Sequence, residues 1–133
     1  MHEAQSEFEV ISWEPSAWEN APAAHAELGE TRVVKRFIGA ISGESEARLL
    51  TARTSDHTAT YVAIEAFTGE VDGRAGGFTL AHSSTILDGV PVSDYFLVVP
   101  DSGTGELEGI NGTGSFRVDD AGHHVTLRYD LVR

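Results

Sequence analysis

Four dipeptides, Ser42-Gly43, Asp72-Gly73, Asp88-Gly89 and Asn111-Gly112, cut this chain into short extended runs. Asp-Gly and Asn-Gly suit the positive-φ positions of two-residue hairpin turns. The runs fall at 7–13, 32–41, 46–53, 60–71, 77–86, 95–99, 105–110, 113–118 and 123–132. All but the charged third are rich in β-branched or aromatic residues. Most connections are too short for a crossover helix, so neighbouring strands must pair antiparallel. Many short strands without an amphipathic helix predict an all-β sandwich or barrel. Glycine recurs at Phe37-x-Gly39-x-x-x-Gly43 and Phe67-x-Gly69-x-x-x-Gly73, marking the bends a closing barrel needs. The 133 residues suit one domain, 1–133. Segment 14–29, with Pro15, Pro22 and an Ala-rich middle, reads as a long loop after the first strand, anchored by Trp18.

The turns set strand register. A two-residue turn at Asp72-Gly73 places Phe67 opposite Phe78, Glu65 opposite Leu80, Ala63 opposite His82 and Tyr61 opposite Ser84. Tyr61, Glu65, His82 and Ser84 then share a face with Phe67, Phe78 and Leu80, and Glu65 lies diagonally beside His82. The other face carries Val62, Ile64, Ala66, Thr79, Ala81 and Ser83, with no charge. A turn at Asn111-Gly112 places Leu107 opposite Phe116 and Glu106 opposite Arg117. A further turn near Asp120 puts Phe116 opposite Val125, so Leu107, Phe116, Val125, Leu127 and Tyr129 form one apolar face. Run 95–99 is apolar on both sides, which calls for an outer cover. Either the 14–29 loop or a second subunit supplies it; a homo-oligomer, most simply a symmetric dimer, is expected.

Charge narrows the partners. The net charge of −12 repels phosphate backbones and anionic membrane, so neither nucleic acid nor membrane is expected. No apolar stretch reaches the length of a membrane helix. MHEAQSEFEV lacks a basic start and an apolar core, so a cytoplasmic location is expected. The absence of cysteine removes disulfides and thiolate chemistry. Acidic residues crowd the first 30 positions and Arg32, Lys35, Arg36, Arg48 and Arg53 follow, either as a solvated acidic segment or with the first strand beside the basic ones.

The residue pair with most chemical potential is Glu65 and His82. Burial raises a carboxyl pKa toward neutrality, and a carboxyl–imidazole pair in an apolar lumen could exchange protons with a substrate. It could equally be a buried hydrogen bond holding two strands. Tyr61 and Tyr129 are candidates to polarise or position a ligand, and Phe67, Phe78, Leu80, Ser84, Leu107 and Phe116 to line its site. No metal site or cofactor is expected: His123 and His124 point to opposite faces, leaving open which faces inward, and His2, His25 and His57 lack partners at ligand spacing. The glycine-rich segment 100–106 lacks a P-loop lysine and leads into a strand, and no GxSxG motif occurs.

Several segments together resemble the bacterial DUF3224 family. They are Tyr61-Val62-Ala63-Ile64-Glu65, the run from Gly69-Glu70-Val71-Asp72-Gly73 to Ala81-His82, and Val99-Pro100-Asp101-Ser102-Gly103-Thr104-Gly105-Glu106-Leu107. The opening from Phe8 to Trp13 and the close from His123/His124 to Tyr129 fit as well. The resemblance implies an eight-stranded antiparallel barrel similar to allene oxide cyclase. Relatives of that wider barrel include cofactor-free cyclases and isomerases of apolar substrates, an analogy at the level of fold. The leading expectation is therefore a cofactor-independent isomerase or cyclase acting on a small hydrophobic molecule. The alternatives are a non-catalytic carrier of an apolar metabolite and a structural barrel filled by its own side chains.

Overall fold

In a computed structural model describing residues 1–132, the chain is all strand and turn. The strands are β1 (His2–Ala17), β2 (Glu27–Gly39), β3 (Ile41–Ser55), β4 (Thr58–Val71), β5 (Arg74–Leu87), β6 (Val90–Val98), β7 (Thr104–Gly105), β8 (Ile110–Asp119) and β9 (Gly122–Leu131). The order β4-β3-β2-β1-β9-β8-β6-β5 closes where β5 pairs with β4, giving an eight-stranded antiparallel barrel; β7 is a short addition on β5. One seam is weak. β6 and β8 meet at a single register pair, Leu97 with Thr113, and splay apart from there.

Two of the four expected turns form as read. Asp72 and Gly73 have φ of 49° and 81°, and Asp88 and Gly89 of 50° and 82°, the doubly positive pattern of a tight hairpin. The β4–β5 register follows: Tyr61 faces Ser84, Ala63 faces His82 and Glu65 faces Leu80. The other two dipeptides lie inside strands. Ser42-Gly43 belongs to β3, and the reversal before it centres on Ala40. Asn111-Gly112 belongs to β8, where Gly112 faces Tyr129. The pairings of Leu107 with Phe116 and of Glu106 with Arg117 therefore do not exist. Glu106 instead accepts the Ala75 N–H at 3.0 Å, and Arg117 reaches Asp119 at 3.4 Å. Phe116 does face Val125, because the chain reverses at Asp120 and Ala121. Long-range pairing with β9 overrides the local turn preference of Asn-Gly.

Segment 14–29 is mostly strand. β1 runs to Ala17 and β2 starts at Glu27. β9 pairs with β1 only as far as Phe8, so Pro15 lies where β1 is an edge strand and needs no second ladder bond. Trp18 remains 40% exposed and does not anchor a loop to the barrel. Nor does this segment cover the outer face of β4, where Val62 and Ile64 are both 56% exposed. The first strand does lie beside the basic ones: Arg32 bonds Glu14 and Glu46, each at 2.8 Å, across three adjacent strands.

Glycines let the wall bend. Gly43, Gly69, Gly76 and Gly105 sit side by side across β3, β4, β5 and β7. A Cβ on Gly69 would lie 2.0 Å from the Ser42 carbonyl oxygen and 2.8 Å from the Gly43 Cα, both backbone atoms that cannot yield. Gly69→Ala is expected to cost about 2–3 kcal/mol and to lower the urea midpoint by about 1 M. Gly73→Asn, at a turn with open space around the added Cβ, should stay within about 1 kcal/mol. Equal midpoints for the two variants would contradict this account of the bend.

The lower half of the barrel is solid. Phe37, Ile41, Phe67, Phe78, Leu80, Phe96, Val125 and Leu127 enclose a space of about 10 Å³, at the lower limit for one water molecule.

Candidate functional site

Strand alternation aims one residue in two at the barrel axis. On β2 these are Thr31, Val33, Lys35 and Phe37; on β3, Ser45, Ala47 and Leu49; on β4, Ala63, Glu65 and Phe67; on β5, Phe78, Leu80 and His82. Four polar side chains thus meet in an apolar interior. Glu65 Oε1 accepts from Lys35 Nζ at 2.9 Å and lies 2.8 Å from His82 Nε2; Oε2 accepts from Ser45 Oγ at 2.6 Å. Tyr61 Oη lies 2.9 Å from His82 Nδ1. Lys35 Nζ also sits over the rings of Phe8 and Phe116, 4.9 and 4.3 Å from their centroids, a cation–π arrangement. Among the described residues no buried side-chain nitrogen or oxygen lacks a partner.

The sequence argument expected burial to lift the Glu65 pKa, and the structure reverses that. Burial does push the carboxyl up, but the His82 hydrogen bond, the Lys35 charge and the Ser45 hydroxyl together outweigh it and bring it down to about 2. Glu65 is fully buried and ionised at neutral pH, so it cannot touch a ligand or serve as an acid. It can only accept hydrogen bonds. His82 Nε2 must therefore carry a hydrogen, and in the neutral ring Nδ1 is the acceptor. Tyr61 donates to it. Burial, followed by the negative charges of Glu65 and Asp94, pushes the Tyr61 phenol up to about 12 and keeps it protonated.

Tyr61 also lines an open cleft of about 490 Å³ at the upper mouth of the barrel, beside the splayed β6–β8 seam. Ser84, Asp94, Phe96, Phe116 and Val118 share that lining. The volume is in the range of small-molecule sites. The candidate residues therefore separate. Tyr61, His82 and Glu65 form one chain running from the mouth into the wall, and Ser84 and Phe116 line the mouth. Phe67, Phe78 and Leu80 are close-packed below it. Leu107 is fully buried in the turn after β7. Tyr129 is not brought to this group: its hydroxyl donates to Asp72, at the β4–β5 turn, roughly 20 Å along β4 from Glu65 at strand rise. His123 points inward against Phe8, with ring centroids 5.1 Å apart, while His124 points outward to Asp119 at 2.9 Å. No group of three or more potential metal ligands occurs among the described residues, and no helix is long and apolar enough to cross a membrane.

Three positions of the candidate site escaped the sequence reading. Lys35 and Ser45 were legible in principle, since Lys35 alternates with Val33 and Phe37, and Ser45 with Ala47 and Leu49. Asp94 alternates likewise with Phe96. The register of Trp13, outside this site, was not legible either. A bulge between Val10 and Ser12 shifts the register, setting Trp13 opposite inward-facing Val33 while it stays 59% exposed.

These features define a class: a small closed β-barrel protein with an ionised network sealed beneath an open, aromatic mouth. Within that class the chain belongs to the DUF3224 family, whose model, described as a protein of unknown function, matches residues 4–130. The fold is similar throughout to the crystal structure of a DUF3224-family protein of unknown function from Shewanella oneidensis MR-1. The two share 28% sequence identity and a TM-score of 0.89, over 100% of this chain and 99% of that one. No curated protein matches the sequence.

Proposed function

We propose that the chain binds a small, largely apolar molecule in its mouth and moves a proton on it, as a cofactor-independent isomerase or cyclase. The observation that carries this is the unbroken chain from Tyr61 through His82 to Glu65. A carboxylate that only holds strands together needs no path to the surface, and this one has a path ending in a ligand-sized cleft. In the proposed step the Tyr61 oxygen takes a proton from a C–H acid of the bound molecule while its own proton passes to His82 Nδ1. The resulting imidazolium rests against the Glu65 carboxylate. The proton then returns by the same route to a different substrate atom, so the product is mass-neutral. The resemblance to allene oxide cyclase-type barrels is implied by the sequence only, and lends the reading an analogy at the level of fold. The reading places the work in the cytoplasm, a reducing compartment that the cysteine-free composition fits.

The test needs no knowledge of the natural substrate. A panel of β,γ-unsaturated cyclic ketones is incubated with the protein in deuterium oxide and followed by NMR. Deuterium incorporation or double-bond migration is expected, and Tyr61→Phe should slow it about a hundredfold. A ketone that perturbs the mouth residues yet is recovered without exchange overturns the catalytic step. That outcome favours the second reading, a carrier. One observation already points that way: a phenol held at about 12 is a reluctant proton relay.

A further inference from the structure

The polar atoms lining the mouth differ in what they can offer a ligand. With the His82 ring neutral, the Tyr61 hydroxyl gives its hydrogen to Nδ1 and presents only oxygen lone pairs outward. Ser84 Oγ donates to Asp94 Oδ1 at 2.6 Å, so it too presents lone pairs. Asp94 is an exposed carboxylate on the β6 lip, in the inward register two residues from Phe96. Two cations lie near. Lys35 is buried and bonded to Glu65; Arg117 also lines the cleft but from the outward register, where it is exposed and reaches Asp119 at 3.4 Å. Hydroxyls of Ser83, Tyr95 and Ser115 on the rim can bond either way. Around Asp94 the cleft is thus a set of acceptors beside one carboxylate, walled by the rings of Tyr61, Phe96 and Phe116, with the Arg117 guanidinium on the outer rim. Acceptors, a carboxylate and aromatic faces are jointly what a desolvated organic cation needs.

We propose that the mouth selects organic ammonium compounds, an amine on an aromatic or alicyclic body, over carboxylates of the same shape. The ammonium would bond Asp94, with the Tyr61 oxygen as second acceptor, and the apolar body would lie between Phe96 and Phe116. This rests on the reading of the mouth as a small-molecule site and narrows its ligand class. The raised pKa of Tyr61, to which the Asp94 charge contributes, agrees with a negative local potential.

Three probes of matched shape test it: 2-phenylethylamine, 2-phenylethanol and 3-phenylpropanoate. Each is titrated into the full chain at pH 7, following the backbone amides of Ser84, Asp94, Gly114 and Ser115 by NMR. The amine is expected to bind about tenfold more tightly than the carboxylate. Asp94→Asn should weaken the amine about fivefold and leave the alcohol unchanged. That substitution changes the net charge of −12 by one, so a large loss reports a local contact and not the long-range field. Carboxylate binding as tight as amine binding, or amine binding indifferent to Asp94→Asn, overturns the ligand class and leaves the mouth standing as a site. Failure of all three probes to move those amides at roughly tens of millimolar overturns the small-molecule site and this inference together.

Discussion

Glu65→Gln should destabilise the barrel by about 3–5 kcal/mol and lower its melting temperature by roughly 10–20 °C. The side chain is fully buried and holds three partners, so its neutral isostere strands the Lys35 ammonium in an apolar interior. The amide oxygen of glutamine can still accept from His82 or Ser45, so the loss traces mainly to the unpaired charge. Lys35→Met in the same chain removes that charge and packs a thioether against Phe8 and Phe116, where the ammonium now lies. The double variant should therefore recover to within about 1–2 kcal/mol of the parent. Both variants are read by reversible urea and thermal unfolding. A single variant within about 0.5 kcal/mol of the parent would show that the pair does not need its charge. A double variant no better than the single would show that the cost lies elsewhere.

Acid should expose the same carboxylate. Its pKa is near 2 in the folded chain against an ordinary value of 4.5. Between these values the unfolded chain binds the additional proton, so the contribution of Glu65 to stability is complete above about pH 4.5. It is lost as the pH falls toward 2. The loss is on the order of 3 kcal/mol. Exposed carboxylates are also held below their ordinary values: Glu14 by Ser12 and Arg32, Glu46 by Arg32, and Asp119 by His124. Comparison with the Lys35→Met, Glu65→Gln chain separates them, because that chain keeps every exposed pair. Unfolding free energy measured from pH 6 to pH 2 should fall more steeply in the parent. Parallel curves for the two chains would refute a depressed Glu65.

The hairpin carrying Glu65 and His82 could be read from the chain because its turn is local. Asp72 and Gly73 adopt positive φ, and a two-residue turn leaves β4 and β5 one register. The same reasoning failed at Asn111-Gly112. There the dipeptide has the composition of a turn but lies opposite Asp130 and Tyr129 in a strand pair closed by a reversal further on. A turn-forming dipeptide predicts a turn only where no longer-range ladder claims it. Segment 14–29 shows the converse: prolines suggested a loop, yet an edge strand tolerates them. Lys35 was in view but unassigned, since alternation says only that it points inward. What it meets there depends on β3, which lies between β2 and β4.

From the amino-acid order alone came an all-β chain, its antiparallel pairing and the adjacency of one acid to one imidazole, all consequences of φ preferences and of side chains alternating with period two. Barrel closure decided the rest. It carried Lys35 and Ser45 to Glu65, packed Phe67, Phe78 and Leu80 solid, left Tyr129 at the far turn, and opened a mouth where β6 parts from β8. The ionisation of a buried carboxyl reflects the sum of its surroundings. Turns and alternation specify neighbours along two strands, whereas burial and Coulomb energy depend on every strand that faces the same interior.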